Sequence, residues 1–198
     1  MIDIIIPIYT PKLPLKKAEK CIQSVVNNTK IPFNLILPSS DKSQPYNINQ
    51  GLQRVKSKYA AILDWDIYVP ENWLEPLVEV LKTKKNAGIV GCKMTGDYEK
   101  WGGLNSKAPA GVTLWPTLAG GIMVFKNIGL KWDENFPSGY WADTDFCRQF
   151  KEKGYKVYMN GDIEVEHDIY TSNTSPMITS NMNQGRQIYR KKWGDNEF

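Results

Sequence analysis

The sequence predicts an α/β domain with a mostly parallel central sheet flanked by helices. Apolar runs of strand length alternate with amphipathic segments of about 10–15 residues as far as Lys93, the pattern of consecutive βαβ units. The opening run, Ile2–Tyr9, is almost unbroken in apolar residues, as a strand covered on both faces must be. No internal repeat and no long linker interrupts the 198 residues, so 1–198 is expected to fold as a single domain.

The elements follow in order. After the first strand, Leu15, Ala18, Cys21, Ile22, Val25 and Val26 recur at helical spacing until Asn27-Asn28 closes the helix. Phe33–Leu37 is a second strand stopped by Pro38-Ser39-Ser40, and Ile48, Leu52 and Val55 mark a second helix. Tyr59–Leu63 and Ala87–Cys92 are strands on either side of a helix starting near Glu71, with Pro76 early enough to be tolerated. Lys93–Thr117 reads as loop, punctuated by glycine and proline. Gly120–Phe125 resumes as strand, Asp143–Lys153 is a helix, and Lys156–Met159 and Ile163–Val165 are two short strands. Residues 171–183, rich in Ser, Thr and Asn, read as a mobile loop before a basic helix over Gln184–Trp193.

Composition removes several function classes. Apolar residues make up 41% and charged residues 23%, which excludes a disordered chain. With 25 Lys and Arg against 21 Asp and Glu, a net charge of +4 permits a polyanionic partner without requiring one. The clusters Lys16/Lys17/Lys20, Arg54/Lys56/Lys58 and Lys82/Lys84/Lys85 fall on expected helices, where solvated faces account for them. No apolar run approaches the ~18 residues of a membrane span. The start Met1-Ile2-Asp3 is no secretory signal, and Cys21, Cys92 and Cys147 are odd in number with no C-x-x-C. A soluble, cytoplasmic protein without a transmembrane segment is the expectation.

Ligands of an open α/β sheet bind beyond the carboxyl ends of its strands, which directs attention to Pro7-Ile8-Tyr9, Pro38-Ser39-Ser40 and Asp64-Trp65-Asp66. Asp64 and Asp66, two apart after a buried strand, can face the same way, and two such carboxylates suit a hard divalent ion or else form a solvated turn. Asp143 and Asp145 open a helix, either as dipole-complementing acids or as a general base beside a bound hydroxyl. His167, the single histidine, is a structural residue or a metal ligand. A serine-hydrolase triad, a P-loop and a G-x-G-x-x-G dinucleotide turn are all absent.

Taken in order, the motifs resemble those of the inverting family 2 nucleotide-sugar glycosyltransferases, which adopt the GT-A fold. The resemblance runs from Ile4-Ile5-Ile6-Pro7-Ile8-Tyr9 through Asn49-Gln50-Gly51 to the Asp64/Asp66 pair. It continues in Gly120–Phe125, Trp132-Asp133-Glu134, the Trp141–Arg148 segment with Gly154-Tyr155-Lys156-Val157, Val165-Glu166-His167 and Tyr189–Gly194. It implies a nucleotide-sugar-binding half (1–93) and an acceptor-binding, catalytic half (94–198).

The resemblance also implies roles. Asp66 and His167 would coordinate Mn²⁺ or Mg²⁺, with Asp64 near the metal or the ribose. Pro7, Tyr9 and Asn49 would line the nucleotide pocket, and Gly121 and Asp145 would lie at the substrate. Asp143 would be the base that deprotonates the acceptor hydroxyl. Trp141 would stack on a sugar or belong to the core. The donor would be a nucleoside-diphosphate sugar, a UDP-sugar favoured. The acceptor is open among glycan, lipid-linked sugar, protein and modified nucleic acid, and the basic C-terminal helix admits a phosphate-bearing one. The chain departs from the family pattern at Pro38-Ser39-Ser40, leaving Asp41 as the candidate acid near the base, and at Ala142, where the family has Glu. It also has little beyond Trp193, so no large acceptor domain or membrane anchor is expected. Two other readings follow from the departures and the sheet: a non-catalytic nucleotide-sugar-binding protein, and a metal-dependent nucleotidyltransferase.

Overall fold

The computed structural model describes residues 1–9, 15–100, 102–169 and 176–195. In chain order its elements are β1 (Ile2–Ile5), β2 (Ile8–Tyr9), α1 (Leu15–Asn28), β3 (Phe33–Ile36), β4 (Ser39–Ser40), α2 (Gln44–Leu52), β5 (Tyr59–Leu63), β6 (Ile67–Tyr68), α3 (Leu74–Thr83) and β7 (Ala87–Gly96). Then come α4 (Asp97–Lys100), a 3₁₀ turn (Leu104–Lys107), β8 (Val112–Leu114), β9 (Ile122–Lys126), α5 (Ala142–Glu152), β10 (Lys156–His167) and α6 (Pro176–Trp193).

The main sheet has the order β3-β1-β5-β9-β7-β10-β6, with β8 pairing β10. Strands β3, β1, β5, β7 and β10 run in one direction, and β9 lies antiparallel between β5 and β7. The order turns back on itself at β1, whose neighbour β5 is the strand that delivers Asp64 and Asp66.

Both faces of the sheet are covered. On one, Ile4, Val90 and Cys92 pack with Val25 of α1 and Leu77 of α3; on the other, Ile5, Ile62 and Phe125 pack with Phe146 and Phe150 of α5. The single acid of β1, Asp3, is buried. Burial alone would raise its carboxyl, but hydrogen bonds from Asn34, Ser57 and Lys56 hold it below the usual carboxylate range. Helix α2 lies close on β1 because residue 51 is glycine: a Cβ there would come within 2.5 Å of Ile5 Cγ2.

Three expectations differ from the structure. The stretch expected as loop from Lys93 contains the end of β7, α4, the 3₁₀ turn and β8. The two short strands expected at Lys156–Met159 and Ile163–Val165 are one strand, β10, whose register on β7 shifts between Asn160 and Glu164. Of the loop expected over 171–183, residues 171–175 lie outside the described residues, and α6 begins at Pro176. Helix propensity is low there, but Ile178 and Tyr189 are buried, so packing decides the outcome.

Candidate active site

The end of β5 turns sharply through Asp64-Trp65-Asp66 into β6, whose two residues pair antiparallel with the end of β10. That pairing sets His167 opposite Ile67 and therefore beside Asp66, with Nε2 3.3 Å from Asp66 Oδ1. One donor atom from each of Asp64, Asp66 and His167 lies within 4.8 Å of the other two. Asp66 and His167 are nearly buried, and His167 Nδ1 has no hydrogen-bond partner among the described residues. Asp64 accepts from Gln44 Nε2 at 2.6 Å. Burial and the charge of Asp66 nevertheless push its carboxyl up to about 7. Burial lowers the His167 imidazole, and the hydrogen bond and charge of Asp66 more than reverse this, so the ring sits above its ordinary value. Two crowded carboxylates and an imidazole with an unused buried nitrogen fit a hard or borderline divalent cation.

Asp143 faces the same space from the first turn of α5. The chain enters that helix through Trp141, held at φ 69°, ψ −14° in the left-handed region. Asp143 Oδ2 accepts from the Gly120 N–H at 2.8 Å, and Oδ1 from the Thr144 N–H at 2.7 Å. Burial still pushes the carboxyl up to about 6 against those bonds. Ala142, the residue before Asp143, is fully buried in the same core as Phe146 and Phe150, and the Gly120 and Thr144 donors orient the aspartate.

A cavity of about 500 Å³ touches all four of Asp64, Asp66, Asp143 and His167, and is walled by Gln44, Tyr98, Trp132, Tyr140 and Met182. A second, of about 460 Å³, is lined by Pro7, Asp41, Asn47, Trp65 and Asn181 and shares Gln44, Asp64, Asp66, Ser138 and Gly139 with the first. The carboxylate pair thus lies where two compartments meet.

Residues 39–136 match the family model Glycosyl transferase family 2. The chain is similar to that family over this segment. Its fold is GT-A: a crystal structure of GalNAc-T7 with UDP, GalNAc and Mn²⁺ is similar at a TM-score of 0.68 and 13% identity, over 100% of this chain and 48% of that one. The chain therefore spans about half the length of that structure. No curated protein matches the sequence.

The structure brings some of the expected site residues together and sets others apart. Asp64, Asp66, Asp143, His167 and Gly121 line the first cavity and Pro7 the second. A Cβ at Gly121 would stand 2.8 Å from Met94 Sδ and 3.3 Å from the His167 ring, which is why glycine is required there. Asn49 lines neither cavity: buried, it donates to the Trp132 carbonyl and to Glu134, and its Oδ1 accepts from the Trp132 N–H, pinning the 132–134 turn to α2. Asp145 also points away from the cavities. It is fully buried, paired with Lys192 at 2.8 Å and bonded by Trp193 Nε1 at 2.7 Å. Trp141 lies outside both cavity walls and packs on Tyr189, ring centroids 5.3 Å apart, with Arg186 over its face. The side chain of Tyr9 lies outside the described residues. The basic C-terminal helix turns Lys192 and Arg186 onto the protein itself.

Three wall residues carried no sequence signal: Gln44, Tyr98 and Met182. Tyr98 stacks on His167 at 5.9 Å and 18° between ring planes, and Gly103 leaves its ring the room to lie there. Gly139, at the same wall, leaves Gln44 its place: a Cβ there would collide with the Gln44 side chain. Among the described residues no helix is long and apolar enough to cross a membrane.

Proposed function

We propose that the protein is an inverting, divalent-metal-dependent glycosyltransferase that moves a sugar from a nucleoside-diphosphate sugar to an acceptor hydroxyl. One observation carries this reading: the Asp64, Asp66, His167 group and the isolated carboxylate of Asp143 border a single cavity from different elements. A donor whose diphosphate lay at the first group would present its anomeric carbon toward the second.

Asp64, Asp66 and His167 would hold Mn²⁺ or Mg²⁺. A divalent ion held by these three residues would supply positive charge to offset the negative charge developing on the departing nucleoside diphosphate. The second cavity, with Pro7 at its wall and Asp41 as the acid nearest a base, suits the nucleoside. The UDP and Mn²⁺ in the GalNAc-T7 structure support a uridine donor and manganese. Asp143, with a carboxyl near 6, is ionised at neutral pH yet basic enough to take a proton. It accepts the hydroxyl proton as the acceptor oxygen bonds to the anomeric carbon, while the bond from that carbon to the diphosphate oxygen breaks on the opposite face. The Gly120 and Thr144 N–H groups keep the carboxylate aimed throughout. One displacement inverts the anomeric centre.

The test uses water as the acceptor. With an α-linked UDP-sugar and Mn²⁺, the first sugar released, followed by NMR, is expected to be the β anomer. Asp143→Asn should slow the release by about 10²–10⁴-fold. An α anomer as first product, or wild-type release by the Asn variant, would overturn the reading.

A further inference from the structure

Lys17 lies on the face of α1 that looks toward the end of β10. Its ammonium donates to Asp168 Oδ1 at 2.7 Å and to the Asp168 carbonyl at 3.0 Å. The other carboxylate oxygen of Asp168 accepts from the Tyr68 hydroxyl at 3.1 Å, and Lys20, next along α1, stands 3.6 Å over the Tyr68 ring. The Asp168 N–H donates to the Asp66 carbonyl at 3.0 Å. Asp168 follows His167 directly, and His167 faces Ile67 across the strand pair. The cluster therefore grips the chain next to both Asp66 and His167, joining α1, β6 and the end of β10.

For stability alone such a pair counts for little. The Lys17 and Asp168 side chains keep 26% and 34% of their exposure, and an ion pair this open to solvent is screened and adds little. For geometry it counts for more. The His167 ring has one polar neighbour at Nε2, none at Nδ1 among the described residues, and the Tyr98 ring stacked beside it. Its aim thus depends on where the backbone at 167 and 168 is held. The spacing of Lys16, Lys17 and Lys20 predicts a solvated helix face; the structure directs Lys17 inward instead.

We infer that Lys17 and Asp168 are positioning residues for the divalent-metal group, fixing the end of β10 so that His167 stands against Asp66. This rests on the metal reading given under Proposed function. Residues that orient metal ligands from outside typically change metal affinity by about 10–100-fold when removed.

The experiment titrates Mn²⁺ alone into the full chain, free of nucleotide, and follows free Mn²⁺ by electron paramagnetic resonance. Lys17→Met and Asp168→Asn should each weaken binding about tenfold. The double variant should be no weaker than either single one, and Lys17→Arg should retain most of the affinity. Affinity within twofold of wild type in Lys17→Met would overturn the inference and leave a plain strut, whatever happens to Tm. Should Lys17→Met not fold, Tyr68→Phe, which deletes one oxygen, is expected to weaken Mn²⁺ severalfold; unchanged affinity there would also overturn it. A wild-type protein that binds no Mn²⁺ overturns the metal reading itself, a result visible before any substitution is made.

Discussion

Asp143, the base in the proposed reaction, is a carboxylate that the fold buries at a cost. Its pKa near 6 lies above the ordinary 3.8 because burial opposes the charge. The folded state therefore holds the proton more tightly than the unfolded chain, and the stability linked to that proton is complete below about pH 4 and lost as pH rises through 6. Two outcomes follow. Turnover should rise with pH through about 6 and then level off, as the base ionises. Asp143→Asn should raise Tm at pH 7.5 while nearly abolishing activity, and its advantage should shrink toward zero by pH 4; thermal denaturation across that range checks it. That Asp143 was a candidate could be read from its place at a helix start. That Gly120 and Thr144 would orient it could not, because the Gly120 contact joins positions 23 residues apart.

At the level of elements, local pattern and tertiary packing divide the fold between them. Strands β1 and β5 and helices α1 and α5 are legible because each carries an apolar period that both faces of the sheet require. Helix α6 is legible only at its basic end. Its first half lacks a helical composition and is held by contact: Ile178 is buried, and a Cβ at Gly185 would come within 2.5 Å of the Tyr140 carbonyl. The far end docks through Lys192, which pairs with the fully buried Asp145 and with Asp133. Lys192→Met would leave Asp145 buried without its cation. That should cost on the order of 3 kcal/mol, and so lower Tm by roughly 6–12 °C in a chain of this size. Adding Asp145→Asn should restore part of the loss. Asn49 teaches the same lesson in reverse: its motif was visible, but its work is to bond the 132–134 turn rather than to face a ligand.

At the level of the whole molecule, the sheet order makes the site. Asp64 and Asp66 leave β5, His167 ends β10, and these strands are separated by β9 and β7; the short return of β6 across the top carries the acids over to the histidine. The sequence supplied the residue types and their order, while the crossing that unites them is a property of the sheet alone. The two compartments that meet at the acids are likewise assembled from segments as distant as Pro7 and Asn181. The central claim is that these acids and His167 bind a nucleoside diphosphate through a divalent metal. The most direct measurement is the Tm of the protein with UDP, GDP, CDP and dTDP, each with and without Mn²⁺, in wild type and in Asp66→Ala. Ligand bound to the folded state raises Tm by mass action. A rise with one nucleotide, present only with Mn²⁺ and lost in Asp66→Ala, is the predicted result. A rise of equal size without metal or in Asp66→Ala, or none with any nucleotide, would contradict it.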